Sequence, residues 1–501
     1  MVTRMNRLWT TLSVLGLASA LAAPSLAEMT IHLKDGRSIT LPVEPQDIQS
    51  MSFGPNSNGL GAGGGSASAA PLPALPAPPP AKGKKLVAPV PGVTPPAAGP
   101  AATASIAPPP ALSSPGTQPK SSGRVLHVGP SRDIKTIREA AAQAKDGDTI
   151  EIDAGNYTGD VAIWRANNLT IRGMGGRPHL IADGEAAEGK AIFVTKGKNT
   201  RIENIEFSGA AVGDNNGAGI RAEGANLTVF NCYFHDNQEG ILTSEDPSSD
   251  IIIDSSAFVH NGTQSGQTHG IYIGHIHTLY VRGSVFQGTT IGHHIKTRAD
   301  NDYILYNRIL DFAEGTASYS IDMSNGGRGY IIGNIIEKGP KADNYTMIAM
   351  AMEGPTLPEQ ELYVIGNTMV MDRSSGVFVH SRSPALAIVA DNIMTGPGQP
   401  MQGNGRLINN IIAGGASSSG LDANGGGGNK LVREAGFVDA ARADYHLKPG
   451  SPAIGAGVDM QQVNGFKLMP EFQNLYPLGV EPRPASNPPD DGAYRFISAA
   501  R

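Results

Sequence analysis

Thr200-Arg-Ile-Glu-Asn-Ile-Glu-Phe207, Leu227-Thr-Val-Phe-Asn-Cys-Tyr-Phe234 and Ile251-Ile-Ile-Asp-Ser-Ser-Ala-Phe258 repeat one template: an alternating strand, a bend at a small or Asn residue, and a second short strand. The same template returns at Leu279 to Phe286, Tyr303 to Leu310, Tyr330 to Glu337, Leu362 to Met369 and Arg406 to Ala413. The bend falls at 204, 231, 255, 283, 307, 334 and 367, in steps of 27, 24, 28, 24, 27 and 33 residues. A unit of that length cannot close a sheet on itself, so its strands must hydrogen-bond to the copies before and after it. The pattern predicts an all-β chain, a right-handed parallel β-helix of about ten coils. Asn204, Asn231, Asn307, Asn334 and Asn367 are expected to stack coil on coil and satisfy inward-facing turn backbone.

Outside the repeat, the chain divides by composition. Arg4 and Arg7 precede an apolar run from Leu8 to Ala23 and small residues at Ser25-Leu26-Ala27, which reads as a signal peptide over 1–27. The expectation is an exported protein, periplasmic or extracellular, that does not span the membrane. Residues 28–53 hold two alternating stretches, Thr30 to Leu33 and Ser38 to Leu41, joined by Asp35-Gly36-Arg37, which predicts a small β-hairpin. Residues 54–123 are almost entirely Gly, Ala, Pro and Ser and are read as a disordered linker. The β-helix is assigned to 124–455, opening with a short capping helix in Ile134 to Ala144, and 456–501 to a tail that packs on or caps it.

With 39 basic against 45 acidic residues the net charge is −6, so no overall basic field exists to draw nucleic acid. Gly (63) and Pro (37) argue against long helices, and the single Cys232 excludes an intramolecular disulfide and a cysteine-built metal site. Stability must then come from burial.

Ile137-Arg-Glu-Ala-Ala-Ala-Gln-Ala-Lys-Asp-Gly-Asp-Thr-Ile150 with Ala154-Gly-Asn-Tyr157 resembles the N-terminal cap and first coil of the pectin-lyase-like superfamily. Asp444 to Gly457 resembles a closing segment common in bacterial β-helix proteins. The resemblance covers about two-thirds of the chain, and it implies the fold far more than an activity.

Chemistry is expected on a second strand of each coil. In Gly219-Ile-Arg-Ala-Glu223, Gly240-Ile-Leu-Thr-Ser244, Gly270-Ile-Tyr-Ile-Gly274-His275, His294-Ile-Lys-Thr-Arg298 and Ser320-Ile-Asp-Met-Ser324, the aliphatic residue points in and the next points out. The outward column reads Arg221, Leu242, Tyr272, Lys296 and Asp322, with Glu223 and Arg298 beside it. Histidines crowd the same coils: His269, His275, His277, His293 and His294. Removing the proton next to a uronate carboxylate needs cations to neutralise that carboxylate, plus a base and an acid. Lys296 and Arg298 suit the neutralisation, His275 or His294 the base, and Tyr272 the donor. His269 is a bend-filling residue or a proton carrier, and Asp322, Arg221, Glu223 and His293 are candidate substrate contacts.

His269, His275 and Asp322 could compose a metal site, but the reading taken needs no metal and no cofactor. With Asp322 the lone carboxylate of the central coils, a calcium-dependent lyase is disfavoured. The expected function is a metal-independent lyase or related uronate-acting enzyme on an acidic polysaccharide. One alternative is a non-catalytic carbohydrate-binding or exopolysaccharide assembly protein, to which the N-terminal segment would bring an envelope or secretion partner. The other is a polygalacturonase-like hydrolase, on a faint likeness of Thr268 to Gly274 and His294 to Arg298, though its carboxylate pairs are missing.

Overall fold

A parallel strand three to six residues long gains little alone, so these segments become strands only by stacking in register. The computed structural model describes residues 123–263, 266–417 and 427–497, together with the backbone of 29–32 and 38–41. The chain divides into two units, Met1–Pro100 and Ala101–Arg501. In the first, Met29–His32 and Ser38–Leu41 pair antiparallel, Met29 opposite Leu41. The expected signal peptide, and the linker up to residue 122, lie outside the described residues.

The second unit is the right-handed parallel β-helix. A typical coil runs through Thr200–Glu203 in the first sheet, Glu206–Ser208 in the second and Ala218–Ala222 in the third, then enters the first sheet again at Leu227–Phe230. Among the described residues the first and second sheets have 12 strands each and the third has 10. The helix at its start covers Ile137–Gln143, later than the sequence pattern suggests. Thr136 caps it by accepting from the Glu139 amide at 3.1 Å, while Glu139 accepts from the Lys135 amide at 3.1 Å. Ile137 and Ala140 are buried against the first coils.

Inside, one aromatic column runs up the second sheet. The stacked ring pairs Phe207–Phe234, Phe234–Phe258 and Phe258–Phe286 lie 4.9, 4.8 and 4.6 Å apart, and Phe193 of the third sheet meets Phe207 edge-on at 5.2 Å. The bend between the first and second sheets is two columns rather than one. Asn204, Asn231, Ser255, Gly283, Tyr306, Gly333, Gly366, Asp391 and Asn409 all have φ between 50° and 67°, the left-handed region that Asn and Gly tolerate best. The following residue points inward. There Cys232, Ser256, Ser284 and Asn307 donate from their backbone amides to the side-chain oxygen one coil on. From Asn307 the amide ladder continues through Asn334, Asn367, Asn392, Asn410 and Asn429, with side-chain steps of 2.8–3.0 Å. The sequence template had merged these columns: Asn204 and Asn231 occupy the left-handed position, whereas Asn307, Asn334 and Asn367 occupy the inward one. The slip falls after Gly283, whose structural successor is Tyr306.

Met460 to Val480 lie against the outer face of the first sheet and its bend, and Ala493 and Tyr494 pack on Leu310, Ile335 and Val370 of the second sheet. Phe466 meets the stacked rings of Tyr303 and Tyr330 at 5.1 and 5.0 Å. Pro470 fills the space where a Cβ on Gly366 would come within 2.4 Å of it. No described helix is long and apolar enough to cross a membrane.

Candidate active site

The third sheet positions the group. Tyr272, Lys296 and Asp322 are direct register partners on Ile271–Ile273, Ile295–Thr297 and Ile321–Met323, and Arg221 and Leu242 continue the column N-terminally. Ile271, Ile273, Ile295, Ile321 and Met323 point into the core, so the residues between them must point out. The column is not an open solvated strip, however. Asp322 is 1% exposed and Lys296 8%, because the segment between Thr346–Met350 and Gln360–Ile365 contributes Glu353 over them.

One carboxylate bridges both cations. Glu353 Oε1 accepts from Lys296 Nζ at 2.6 Å and Oε2 from Arg298 Nη2 at 2.6 Å. Arg298 also donates from Nε to the Tyr272 hydroxyl oxygen at 3.1 Å and from Nη1 to Asn325 Oδ1. Both cations lie over the Tyr272 ring, 5.5 and 5.7 Å from its centroid. Burial works against the Glu353 charge, but Lys296 and Arg298 outweigh it and lower its pKa. Burial likewise opposes the Arg298 charge and is outweighed by Tyr272 and Glu353, so its pKa rises.

Asp322 sits 3.7 Å from Lys296 Nζ and accepts from Ser324 Oγ at 2.7 Å. Burial nevertheless raises its pKa, against the pull of Ser324 and Lys296. Glu239, fully buried on a neighbouring coil, is pushed well above the ordinary carboxyl value by desolvation, with the His269 amide, Lys296 and Arg221 pulling the other way. The neighbourhood thus holds three carboxyl groups rather than the single Asp322 expected, two of them biased toward the neutral form.

Two imidazoles stack beside this group. His269 and His293 have ring centroids 4.8 Å apart, and His293 stacks on Tyr319 at 4.9 Å. Burial drives His269 down to about 3 and His293 well below its ordinary value, so both are neutral. His269 Nδ1 accepts from the His293 amide at 2.9 Å, and His293 Nδ1 accepts from the Tyr319 amide at 3.1 Å. A neutral ring accepting at Nδ1 carries its proton on Nε2, which makes both histidines donors there. His269, Tyr272 and Lys296 line a cleft of about 340 Å³ with Asn216, Gly266 and Gln267.

Other expected site residues are held elsewhere. His294 is fully buried, its ring nitrogens bound to Thr289 Oγ1 and Asp311 Oδ1 at 2.8 Å each, with Lys338 beside Asp311; it has no face toward the cleft and cannot serve as its base. His275 follows the strand and engages Asp300 at 3.0 Å instead of the Tyr272 group. Glu223 belongs to a network with Lys190 and Lys196, at 2.5 and 3.4 Å. Arg221 stands in the column with Leu242 between it and Tyr272. Glu353, Asn325, Glu239 and Tyr319 are the residues sequence reasoning missed. Glu353 and Asn325 come from irregular connections that no periodicity registers, whereas Glu239 opens a strand in the repeat and was readable as a charge at a buried end.

The family model described as a right handed beta helix region matches residues 154–309. No curated protein matches the chain. Among solved structures, the pectate lyase Pel9A aligns with a TM-score of 0.47 and 14% identity over 75% of this chain and 97% of that one. The alginate lyase from Paenibacillus sp. str. FPU-7 aligns with a TM-score of 0.37 and 15% identity over 57% and 97%. Three stacked parallel sheets and the matched repeat together identify the fold of the second unit as a right-handed parallel β-helix.

Proposed function

We propose that this is an exported polysaccharide-acting protein whose third-sheet cleft cleaves an acidic polysaccharide by β-elimination without a metal ion. The observation that carries the reading is the Glu353 bridge: Lys296 and Arg298 are spaced to grip the two oxygens of one carboxylate. A uronate carboxylate presents the same two oxygens. Held there, its charge is neutralised and the acidity of the adjacent C5 proton rises, because the developing enolate sits against two cations. The Tyr272 oxygen accepts from Arg298 Nε and lines the same cleft, and so Tyr272 is the group placed to take the proton. His269 Nε2–H, lining the same cleft, suits protonation of the leaving O4 as the C4–O bond breaks and the C4–C5 double bond forms. These roles reverse the expectation for Tyr272 and replace His275 and His294. The signal-peptide pattern at the N-terminus accords with export.

The test is incubation of the purified chain with pectate, alginate and neutral glycans while following ultraviolet absorbance of unsaturated ends and reducing ends together. Both should rise on a uronate polymer, and Lys296→Ala should abolish the rise with the fold intact. Reducing ends rising alone would replace the proposal with hydrolysis. Retention of an acidic glycan with neither signal would replace it with a binding or assembly role.

A further inference from the structure

A second constellation lies on the outer face of the second sheet, on strands His179–Ile181, Glu206–Ser208 and Tyr233–His235. Leu180, Phe207 and Phe234 point into the core, so His179, Glu206, Ser208 and His235 point out. Register places His179 opposite Glu206 and His235 opposite Ser208. His235 Nε2 lies 3.1 Å and His179 Nδ1 3.4 Å from the same Glu206 oxygen, and all three ligand atoms fall within 4.8 Å of one another. A tetrahedral ion with bonds of about 2.0–2.2 Å needs ligand atoms about 3.3–3.6 Å apart.

The outer nitrogens are already fixed. His235 Nδ1 is 2.7 Å from Asp236 Oδ2, and His179 Nε2 is 2.7 Å from Ser208 Oγ. An ionised carboxylate only accepts, so His235 must carry a proton on Nδ1. In the neutral ring its Nε2 lone pair then faces the Glu206 carboxylate at hydrogen-bond distance, an arrangement that is repulsive until a second proton or a metal ion stands between them. Metal-ligating histidines are oriented in this way, by a partner on the far nitrogen. The three side chains are each about one-fifth exposed, which leaves a path for an ion and open positions for water.

We propose that His179, Glu206 and His235 bind one divalent transition-metal ion, of the class that prefers imidazole and carboxylate ligands, with zinc as the natural probe. The site joins three successive coils and is independent of the uronate cleft, since none of its residues belongs to the Lys296 group.

The test uses the full chain, free of any polyhistidine tag and treated with chelator, titrated calorimetrically with Zn²⁺. One equivalent should bind, and the cobalt form should show visible ligand-field absorption. His235→Ala and Glu206→Gln should abolish the equivalent. Asp236→Asn, which removes only the orienting carboxylate, should weaken binding roughly ten- to a hundredfold, and His277→Ala, which alters a histidine engaged by Asp250 on another face, should change nothing. Circular dichroism of each variant checks that the coils remain. Absence of a bound equivalent in the wild type, or its persistence in His179→Ala/His235→Ala, overturns the proposal.

Discussion

Glu353 decides what the cleft presents to a ligand. While it bridges Lys296 and Arg298, an incoming uronate must displace it or share the two cations with it. Glu353→Gln removes the internal competitor but keeps its size. On the proposed reading it should tighten acidic-glycan binding, on the order of ten- to a hundredfold for one charge-assisted contact. The gain should shrink in high salt, because the cations would be left more open to screening. Retention of a pectate or alginate oligomer by the two proteins at low and high salt is the measurement, and an unchanged low-salt affinity would contradict the displacement. His269 and His293, neutral through burial, have their tautomers set by main-chain amides at Nδ1, and the Nε2 of His293 faces Asp322 Oδ2 at 3.5 Å.

At the scale of the element, the bend columns explain why so irregular a repeat stays in register. The left-handed position tolerates Asn, Gly, Ser, Asp and even Tyr306, while from Ser256 onward the inward position supplies a side-chain acceptor to the backbone amide of the previous coil. Asn334 does this for Asn307 and also donates to Ile304 O at 2.8 Å and Asn367 Oδ1 at 2.9 Å, with no access to water. Asn334→Ala should therefore cost roughly 2–4 kcal/mol, since several buried polar groups lose their partner at once. Urea unfolding measures it, and a loss below about 1 kcal/mol would mean that water or a neighbour replaces the amide. A solenoid whose coils touch only their neighbours should feel this loss locally, with a second transition opening at the damaged coil.

The whole molecule adds a pH dependence through its C-terminal segment. Burial, with Asp391 nearby, pushes the Asp491 carboxyl up to about 9. The folded state then holds that proton more tightly than the unfolded chain. Its contribution to stability is fully present below the unfolded value near 3.8 and fades as pH rises toward about 9. Asp491→Asn should gain melting temperature relative to the wild type across that window, with the largest advantage at its alkaline end. A difference in melting temperature that stays constant with pH would show that Asp491 does not titrate there. The segment also hides the Tyr280, Tyr303 and Tyr330 face behind Phe466 and Leu468, which keeps this part of the first sheet covered.

The coil architecture was legible in the sequence because parallel stacking forces a period, and alternation then fixes which residues face out. That is why Tyr272, Lys296 and Asp322 align from the sequence alone, their spacing being simply that of successive strands. Side-chain partners were not legible in the same way. His294 follows the outward logic by position, yet the bend before its strand turns it inward to Asp311, and only backbone geometry decides that. Glu353 lies 57 residues from Lys296 in a connection without period, and His179, Glu206 and His235 converge only because three strands pair in one register. The sequence by itself determined the repeat, the inward aliphatic columns and the outward row of cations. The tertiary structure decided which charges meet, which histidines lose water and which carboxyls stay protonated, because burial and partner distance arise only once separate coils are packed together.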